Sequence, residues 1–424
     1  MSANNNSSGG GGGGDAKKKQ LRIVVIGGGI AGLAAAAVLR QRHDVVVYER
    51  EAADAPERGA GIGLGPNGSK MLRKAFREFR PEGIKATRCS GTRTWDREGN
   101  LLREITGVTE PFGGEWLLVH RRDLRDELLR FATAEGGKDG NEVDGGKPAR
   151  VVWGMGVRGV DAEGKVVLDS GEEVWGDVVI GADGIHSVVR RAVLGSEEPP
   201  LTPAGVSLYR FMYPLDKARE ALGGTLPEAI DPRTGGFLNM MDADDELHRN
   251  VIFYPCRDFS ELNVVARVPD SSSDASKTSW TANGSREEMA TRFSDFPPWV
   301  LTLMKTAEGV GMYRVLDAEP AHTYVKGRAV LIGDAAHPMT PFQGQGATQA
   351  VEDAEGLRLL LHDAASDAWS VLGALRTWDS VRRPRAAQVQ RNSRRVADLS
   401  AQGQLDRMRL NWSYEGIHAA LRNR

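Results

Sequence analysis

Cysteine is nearly missing: only Cys89 and Cys256 occur in 424 residues. They lie far apart and form no CxxC pair, which opposes a disulfide framework, a redox dithiol and a cysteine-based metal site. No metal site of any other kind is expected. Two isolated thiols read as buried side chains and fit a reducing compartment. Charge of one sign is missing too. Lys and Arg number 55 against 57 Asp and Glu, a net charge of −2. No cationic excess is available to neutralise phosphates, so no nucleic-acid partner is expected, and no polybasic membrane anchor either. No apolar run approaches the roughly 20 residues that cross a bilayer, and no apolar core follows a basic start in the first twenty residues. No membrane span and no secretory signal are expected, and the chain reads as cytoplasmic.

What remains is an ordinary globular composition, 40% hydrophobic and 26% charged, long enough for two or three domains or for one domain interrupted by another. Residues 1–20, with a glycine tract from Gly9 to Gly14 and three lysines, carry too little apolar surface to order themselves. Leu21–Ile26 reads as a buried strand, about Ala31–Gln41 as an Ala-rich helix, and Asp44–Glu49 as a second buried strand: a βαβ unit opening a parallel sheet. Glu135–Pro148 reads as a surface insertion. Val151–Val160, Lys165–Leu168 and Asp177–Gly181 read as further strands. From Pro203 to Val268 come short β-like runs (Val206–Tyr213, Gly236–Met241, Asn250–Tyr254, Glu261–Val268), which predict a mostly antiparallel sheet. Ser271–Ser279 is a polar loop, and a helical region follows to about Lys305. Gly327–Gly333 returns to the buried-strand style, and the chain is helical from Ala347. The Arg-rich stretch Arg382–Arg395 reads as a solvated helix face.

Three motifs carry chemistry. The first is Gly27-Gly-Gly29-Ile-Ala-Gly32 between strand and helix. Gly27 permits the tight turn, Gly29 lets the backbone approach a pyrophosphate, and Gly32 lets the helix pack on the strand. Glu49 closes the second strand about twenty residues on and suits ribose hydroxyls; the plainer alternative is an exposed strand-end carboxylate. The second is Asp177–Ser187, a buried strand ending in Asp183-Gly184, which alone could be a simple turn. The third runs from Gly327 through Gly333-Asp334, His337, Pro341 and Gly344-Gln345-Gly346 into a long helix, where a Gly-rich entry suits stabilisation of negative charge. Asp334 alone could be a cap residue.

In this order and spacing the motifs resemble the single-component FAD-dependent aromatic hydroxylases, the group of p-hydroxybenzoate hydroxylase and salicylate hydroxylase. Gly59–Asn67, His120-Arg121-Arg122-Asp123-Leu124, Tyr209-Arg210, and Tyr254-Pro255 with Asn263 resemble further segments of that family. The likeness covers about residues 21–400. It implies an α/β fold: a discontinuous Rossmann-type FAD-binding domain, an inserted, mostly antiparallel β-sheet substrate domain and a C-terminal helical region. The expected division is 21–195 and 286–370 for the FAD-binding parts, 196–285 for the substrate domain with sheet contributions near 85–110, and 371–424 for the helices.

The resemblance also implies a chemistry. NADH or NADPH reduces the FAD, oxygen then gives a flavin hydroperoxide, and one oxygen atom passes to a small phenolic or aromatic-acid substrate. The cofactor supplies the reactivity and the protein supplies position and electrostatics. Gly27, Gly29, Gly32, Glu49 and Arg50 are expected at the ADP half, with Arg121 near the pyrophosphate. Gly61, Asp183, Gly184, Gly333 and Asp334 are expected around the cofactor, Asp334 at the ribityl chain. Gly344, Gln345 and Gly346 would stabilise the anionic reduced flavin. Arg210, Tyr209 and Pro341 are the candidate catalytic residues: Pro341 lines the flavin face, and at least one of Arg210 and Tyr209 faces the substrate. Tyr254 and His248 are weaker substrate candidates, and His337 reads as structural. No second GxGxxG unit is present, so the nicotinamide would dock transiently. An epoxidase or decarboxylating hydroxylase shares these motifs, and a non-enzymatic flavin-binding protein is the reading from another class. A halogenase is opposed by the missing Trp-x-Trp-x-Ile. A homodimer stays open.

Overall fold

The structure, a computed structural model, describes residues 20–55, 60–135, 146–270, 284–364, 368–394 and 401–423. The leader through residue 19, Gly59, most of the expected insertion and the loop Ser271–Ser279 lie outside the described residues.

The fold is mixed α/β. Its first sheet has six strands in the order Val325–Lys326 (β18), Ala329–Leu331 (β19), Val178–Gly181 (β12), Arg22–Ile26 (β1), Asp44–Tyr48 (β2) and Arg150–Val152 (β8). All pair in parallel except β18 with β19. The central strands β1, β12 and β19 are branched and buried on both faces, as a covered parallel sheet requires. Helix Ile30–Leu39 (α1) is buried at nine of its ten residues; its alanines let it pack closely between this sheet and the helices Arg121–Thr133 (α3) and Gly346–Asp363 (α8). Val188–Leu194 (α4) follows β12.

The second sheet has seven strands: Gly311–Asp317 (β17), Thr202–Pro214 (β13), Glu261–Pro269 (β16), Asn250–Cys256 (β15), Phe237–Asp242 (β14), Gly91–Trp95 (β5) and Leu101–Thr106 (β6). Only β14 with β5 is parallel. Alternation divides its side chains. Tyr209, Phe211, Phe253 and Val264 enter one core with Met289, Leu303 and Met304, from the helices Arg286–Arg292 (α6) and Pro298–Thr306 (α7), and with Phe293 just past the end of α6; Leu215–Ala221 (α5) also lies there. The apolar stripes of α6 and α7 need this sheet to cover them. They therefore belong with it, as does β17, and not with the Rossmann part to which the boundary at 285 assigns them.

Two small sheets complete the β structure: Gly61–Leu64 (β3), Leu117–His120 (β7) and Thr87–Arg88 (β4), and Glu173–Trp175 (β11), Lys165–Leu168 (β10) and Val157–Val160 (β9). The remaining helices are Pro66–Ala75 (α2), Ala368–Arg394 (α9), Ala401–Trp412 (α10) and Ile417–Arg422 (α11). Among the described residues no helix is long and apolar enough to cross a membrane.

The Arg-rich stretch departs from its expectation. α9 offers only part of it to solvent: Arg391 is exposed, but the side chain of Arg382 is fully buried among carboxylates of α8 and Arg394 pairs with Asp317 and Glu319, while Arg395 lies outside the described residues. A helix packed on both sides directs its arginines to whatever acids its neighbours bury, which charge patterning along one helix does not reveal.

Candidate active site

A cavity of about 1280 Å³ lies where the parallel strands end and the second sheet begins. That exceeds the roughly 300–1,000 Å³ of a pocket for one drug-sized ligand. Three of its walls follow the carboxyl ends of β1, β12 and β19, through Gly29, Gly184 and Gly333 with Asp334, where an open parallel sheet binds ligands.

The glycines of the first loop divide by what surrounds them. Gly27 sits at φ +105°, its N–H donates to Tyr48 O at 2.8 Å, and an added Cβ would stand 2.4 Å from Ala182 O. A Cβ on Gly32 would stand 1.9 Å from Gly27 O. At Gly29, by contrast, the nearest atom to such a Cβ is Arg121 Nη2 at 3.9 Å, so its open side faces the cavity. Glu49 stands beside this loop, its carboxylate accepting from Gly28 N and, at 2.8 Å, from Glu51 N; it does not line the cavity in this arrangement. Arg121 opens α3 and does line it.

Two expected cofactor residues are turned elsewhere. Arg50 is exposed, with Glu51 at 3.7 Å, and is not part of the cavity wall. Asp183 accepts from Ser187 Oγ and from the backbone N–H groups of Val188 and Val189 at 2.7 and 3.3 Å. Its carboxylate thus holds the first turn of α4. Gly184, at φ +76°, lines the cavity in its place.

The third motif reaches the cavity through Gly333, Asp334, Pro341, Gly344, Gln345 and Gly346. Gly344 has φ +60° and releases the chain into α8, whose positive N-terminal end therefore faces the cavity. This stretch is held from behind by residues that sequence reasoning missed. Asp353 accepts from Gly333 N at 3.0 Å, lies 2.7 Å from His337 Nε2, and accepts from Arg382 Nε at 2.9 Å. Burial alone pulls the Asp353 carboxyl upward, but His337 and Arg382 outweigh it and hold it below the usual carboxylate range. Glu352 pairs with Arg382 and Arg385, and accepts from Asn67 Nδ2 at 2.6 Å. His337 is fully buried in this cluster, in a structural position. The adjacent acids Glu352 and Asp353, set between Ala350-Val351 and Ala354, were the available signal.

The far wall is the open face of the seven-stranded sheet. Arg210, Tyr254 and His248 line it. Tyr209 does not: it is fully buried on the opposite face, against α6, because adjacent strand residues point to opposite sides. Arg210 donates to Gly61 O, and Gly61 N donates to Asn263 Oδ1 at 2.8 Å, which ties β3 to the sheet. Burial pushes the Tyr254 hydroxyl well above its ordinary pKa. α10 closes the cavity with Arg407, Met408, Asn411 and Trp412, and Asn411 Nδ2 donates to Gln343 Oε1 at 2.9 Å. Nothing in the sequence had assigned residues 371–424 to the site.

A glycine turn open to a long cavity, a helix N-terminus on a second wall and a carboxylate at Asp334 suit a dinucleotide with a pyrophosphate, a polyol chain and an electron-accepting ring. The fold and site define a flavin-nucleotide oxidoreductase. The family described as "FAD binding domain" matches residues 155–393, and the one described as "NAD(P)-binding Rossmann-like domain" matches residues 25–53. Salicylate hydroxylase of Pseudomonas putida is 31% identical over 82% of this chain and 79% of its own length. Hispidin-3-hydroxylase of Neonothopanus nambi is 30% identical over 82% and 81%. Among solved structures, a salicylate hydroxylase substrate complex superposes with a TM-score of 0.72 at 26% identity, covering 95% of this chain and 97% of that one. The chain belongs to the FAD-dependent monooxygenases of the salicylate hydroxylase type; it is an enzyme, and FAD is its cofactor.

Proposed function

We propose that the enzyme uses NADH or NADPH and O2 to insert one oxygen atom into a small aromatic compound. The observation that carries this reading is one continuous cavity that joins the glycine loop at Gly29 to the open face of the second sheet. The cofactor half and the substrate half thus share a single space. The relatives agree in kind: 3-amino-4-hydroxybenzoate 2-monooxygenase of Streptomyces cremeus is 32% identical over 85% of this chain.

Bound FAD would supply hydride acceptance and oxygen activation. The protein's share is placement. Gly29 would present backbone to the pyrophosphate with Arg121 beside it, and Glu49 would reach the ribose by leaving Gly28 N. Asp334 would accept from the polyol chain. The N–H groups at Gln345 and Gly346, at the positive end of α8, would hold negative charge on the ring. Pro341 would fix the turn that lines this part of the cavity. Arg210 holds Gly61 against the sheet, and Asn263 holds the same strand from the other side. Leu208, Val265, Ile252 and Met240 give the aromatic ring an apolar bed.

The test is nicotinamide consumption in air by the FAD-loaded protein, with and without a panel of phenols and aromatic acids. Consumption stimulated by one compound, with a product heavier by one oxygen, is the expected result. A product that also lost carbon dioxide assigns the decarboxylating branch, and an epoxide assigns the epoxidase branch. Stimulation by no aromatic compound refutes the reading.

A further inference from the structure

Arg210 is the cation that the sequence offers for a substrate anion, yet its guanidinium is engaged by the protein. It donates to Gly61 O and hydrogen-bonds the hydroxyls of Tyr254 and Tyr313. The same sheet face carries a second arginine whose position is different in kind. Strand register sets Arg267 opposite Leu208 on β13 and Asn250 on β15. Two residues away along the strands, about 7 Å, the next row runs Arg210, Val265, Ile252 and Met240, apolar beyond Arg210, whose guanidinium is already turned to Gly61 O. An aromatic ring lying on that apolar row places a substituent on its edge within reach of Arg267.

Arg267 lines the cavity, and among the described residues it makes no hydrogen bond or ion pair; its Nε is buried without an acceptor. Its guanidinium carbon sits 5.1 Å from the ring centre of Phe342, in the turn between Pro341 and Gly344. Burial lowers its pKa from the ordinary arginine value, and the charge of Asp242 opposes this in part. Asp242 lies two strands away and accepts from Asp244 N at 3.0 Å. An arginine stays protonated, and a cation withdrawn from water without a partner is costly until an anion is supplied. The face of Phe342 attracts the cation, and a guanidinium fork presents paired donors suited to a two-point contact with a carboxylate.

We propose that Arg267, with Asn250 beside it, takes an anionic substituent of the substrate, so that the pocket selects aromatic acids over neutral phenols. This rests on the aromatic-hydroxylase reading above. Arg210 then shapes the β3 wall, and Arg267 sets specificity.

The test uses the FAD-loaded full chain and follows the flavin absorbance during titration with each hydroxybenzoate and its matching hydroxybenzamide. The wild-type protein is expected to prefer the acid over the amide by about tenfold to a hundredfold, the range of one charge-assisted contact. Arg267→Met is expected to bring that ratio near one while amide binding and FAD content stay unchanged, and Arg267→Lys to restore part of it. A loss confined to packing would weaken acid and amide alike and leave the ratio standing. An unchanged ratio in Arg267→Met, a wild-type protein indifferent to charge, or loss of the ratio only in Arg210→Met overturns the assignment while leaving the hydroxylase reading intact. If aromatics of neither charge perturb the flavin, the hydroxylase reading fails and this one with it.

Discussion

Gly29 and Gly32 stand three residues apart in one motif, yet their replacement by alanine should fail in opposite ways. At Gly32 the new methyl would meet Gly27 O at 1.9 Å and Gly27 C at 3.1 Å. That carbonyl cannot swing aside, because Gly27 N is bonded to Tyr48 O and the other side of Gly27 is closed by Ala182 O. The helix must therefore back away from the strand, and an overpacked core position of this kind costs about 2–4 kcal/mol. At Gly29 the backbone is extended, with φ −78° and ψ −174°, which alanine adopts freely, and nothing stands nearer than 3.9 Å. Apoprotein stability should move by no more than about 0.5 kcal/mol. The methyl instead occupies the space where a pyrophosphate meets the backbone. Each charge-assisted hydrogen bond broken there is worth about 1.5–3 kcal/mol, so FAD should bind at least about tenfold more weakly. Urea midpoints of the apoproteins and FAD titration by fluorescence quenching separate the two effects. An apo-Gly29→Ala as unstable as apo-Gly32→Ala, or one that binds FAD as tightly as wild type, would refute the reasoning.

Three further outcomes follow from the same geometry. Arg382→Met leaves Glu352 and Asp353 buried without their shared cation and should lower stability by about 3–5 kcal/mol in urea unfolding; a change under 1 kcal/mol, taken as about one ordinary hydrogen bond, would count against the cluster. Asp183→Ala removes three accepted hydrogen bonds at the start of α4 and should cost about 1–2 kcal/mol with little change in FAD affinity; weaker FAD binding at unchanged stability would make the carboxylate a ligand after all. Glu355 is pushed up to about 7 by burial. Because its folded pKa lies above its unfolded one, the native state holds the extra proton, and stability falls as pH rises from about 4.5 to about 7 by up to roughly 3 kcal/mol. Glu355→Gln should flatten that slope relative to wild type, and parallel pH profiles for the two proteins would refute the assignment.

The parts of the site legible in the sequence were those in which backbone geometry demands a residue type. A strand, a positive φ at Gly27 and a helix packed at Gly32 leave few alternatives, and Gly333 and Gly344 repeat that logic at the entry to α8. The parts that stayed hidden depend on which side chains meet across long separations. Nothing local separates Arg210, which hydrogen-bonds its own protein, from Arg267, which does not, because both sit on alternating strands. Tyr209 was offered alongside Arg210 for the same reason, and the pleat sends it to the other face. Asp183 sits in a motif that reads as cofactor-binding, but its carboxylate is used on the helix that follows.

The buried charges of α8 and α9 pose the question of what they contribute. As stability they contribute little that apolar packing could not, since such clusters are commonly replaceable by hydrophobic residues of similar volume. Their hydrogen bonds suggest another role. Through Asp353 the cluster fixes Gly333 N and His337, on the turn that carries Asp334. Through Glu352 it fixes Asn67, and Thr348 on the same helix accepts from Gly65 N at 3.3 Å. One helix therefore sets the register of two loops that lie about 270 residues apart in the chain, positions 65 and 334, and its own N-terminus lines the same cavity. An apolar substitute could hold α8 and α9 together, but it has no directional bond with which to aim the two loops at the same cofactor. The charges are retained, on this view, because a site built from distant segments must be located to a fraction of an ångström, and a hydrogen bond specifies position in a way that a hydrophobic contact does not.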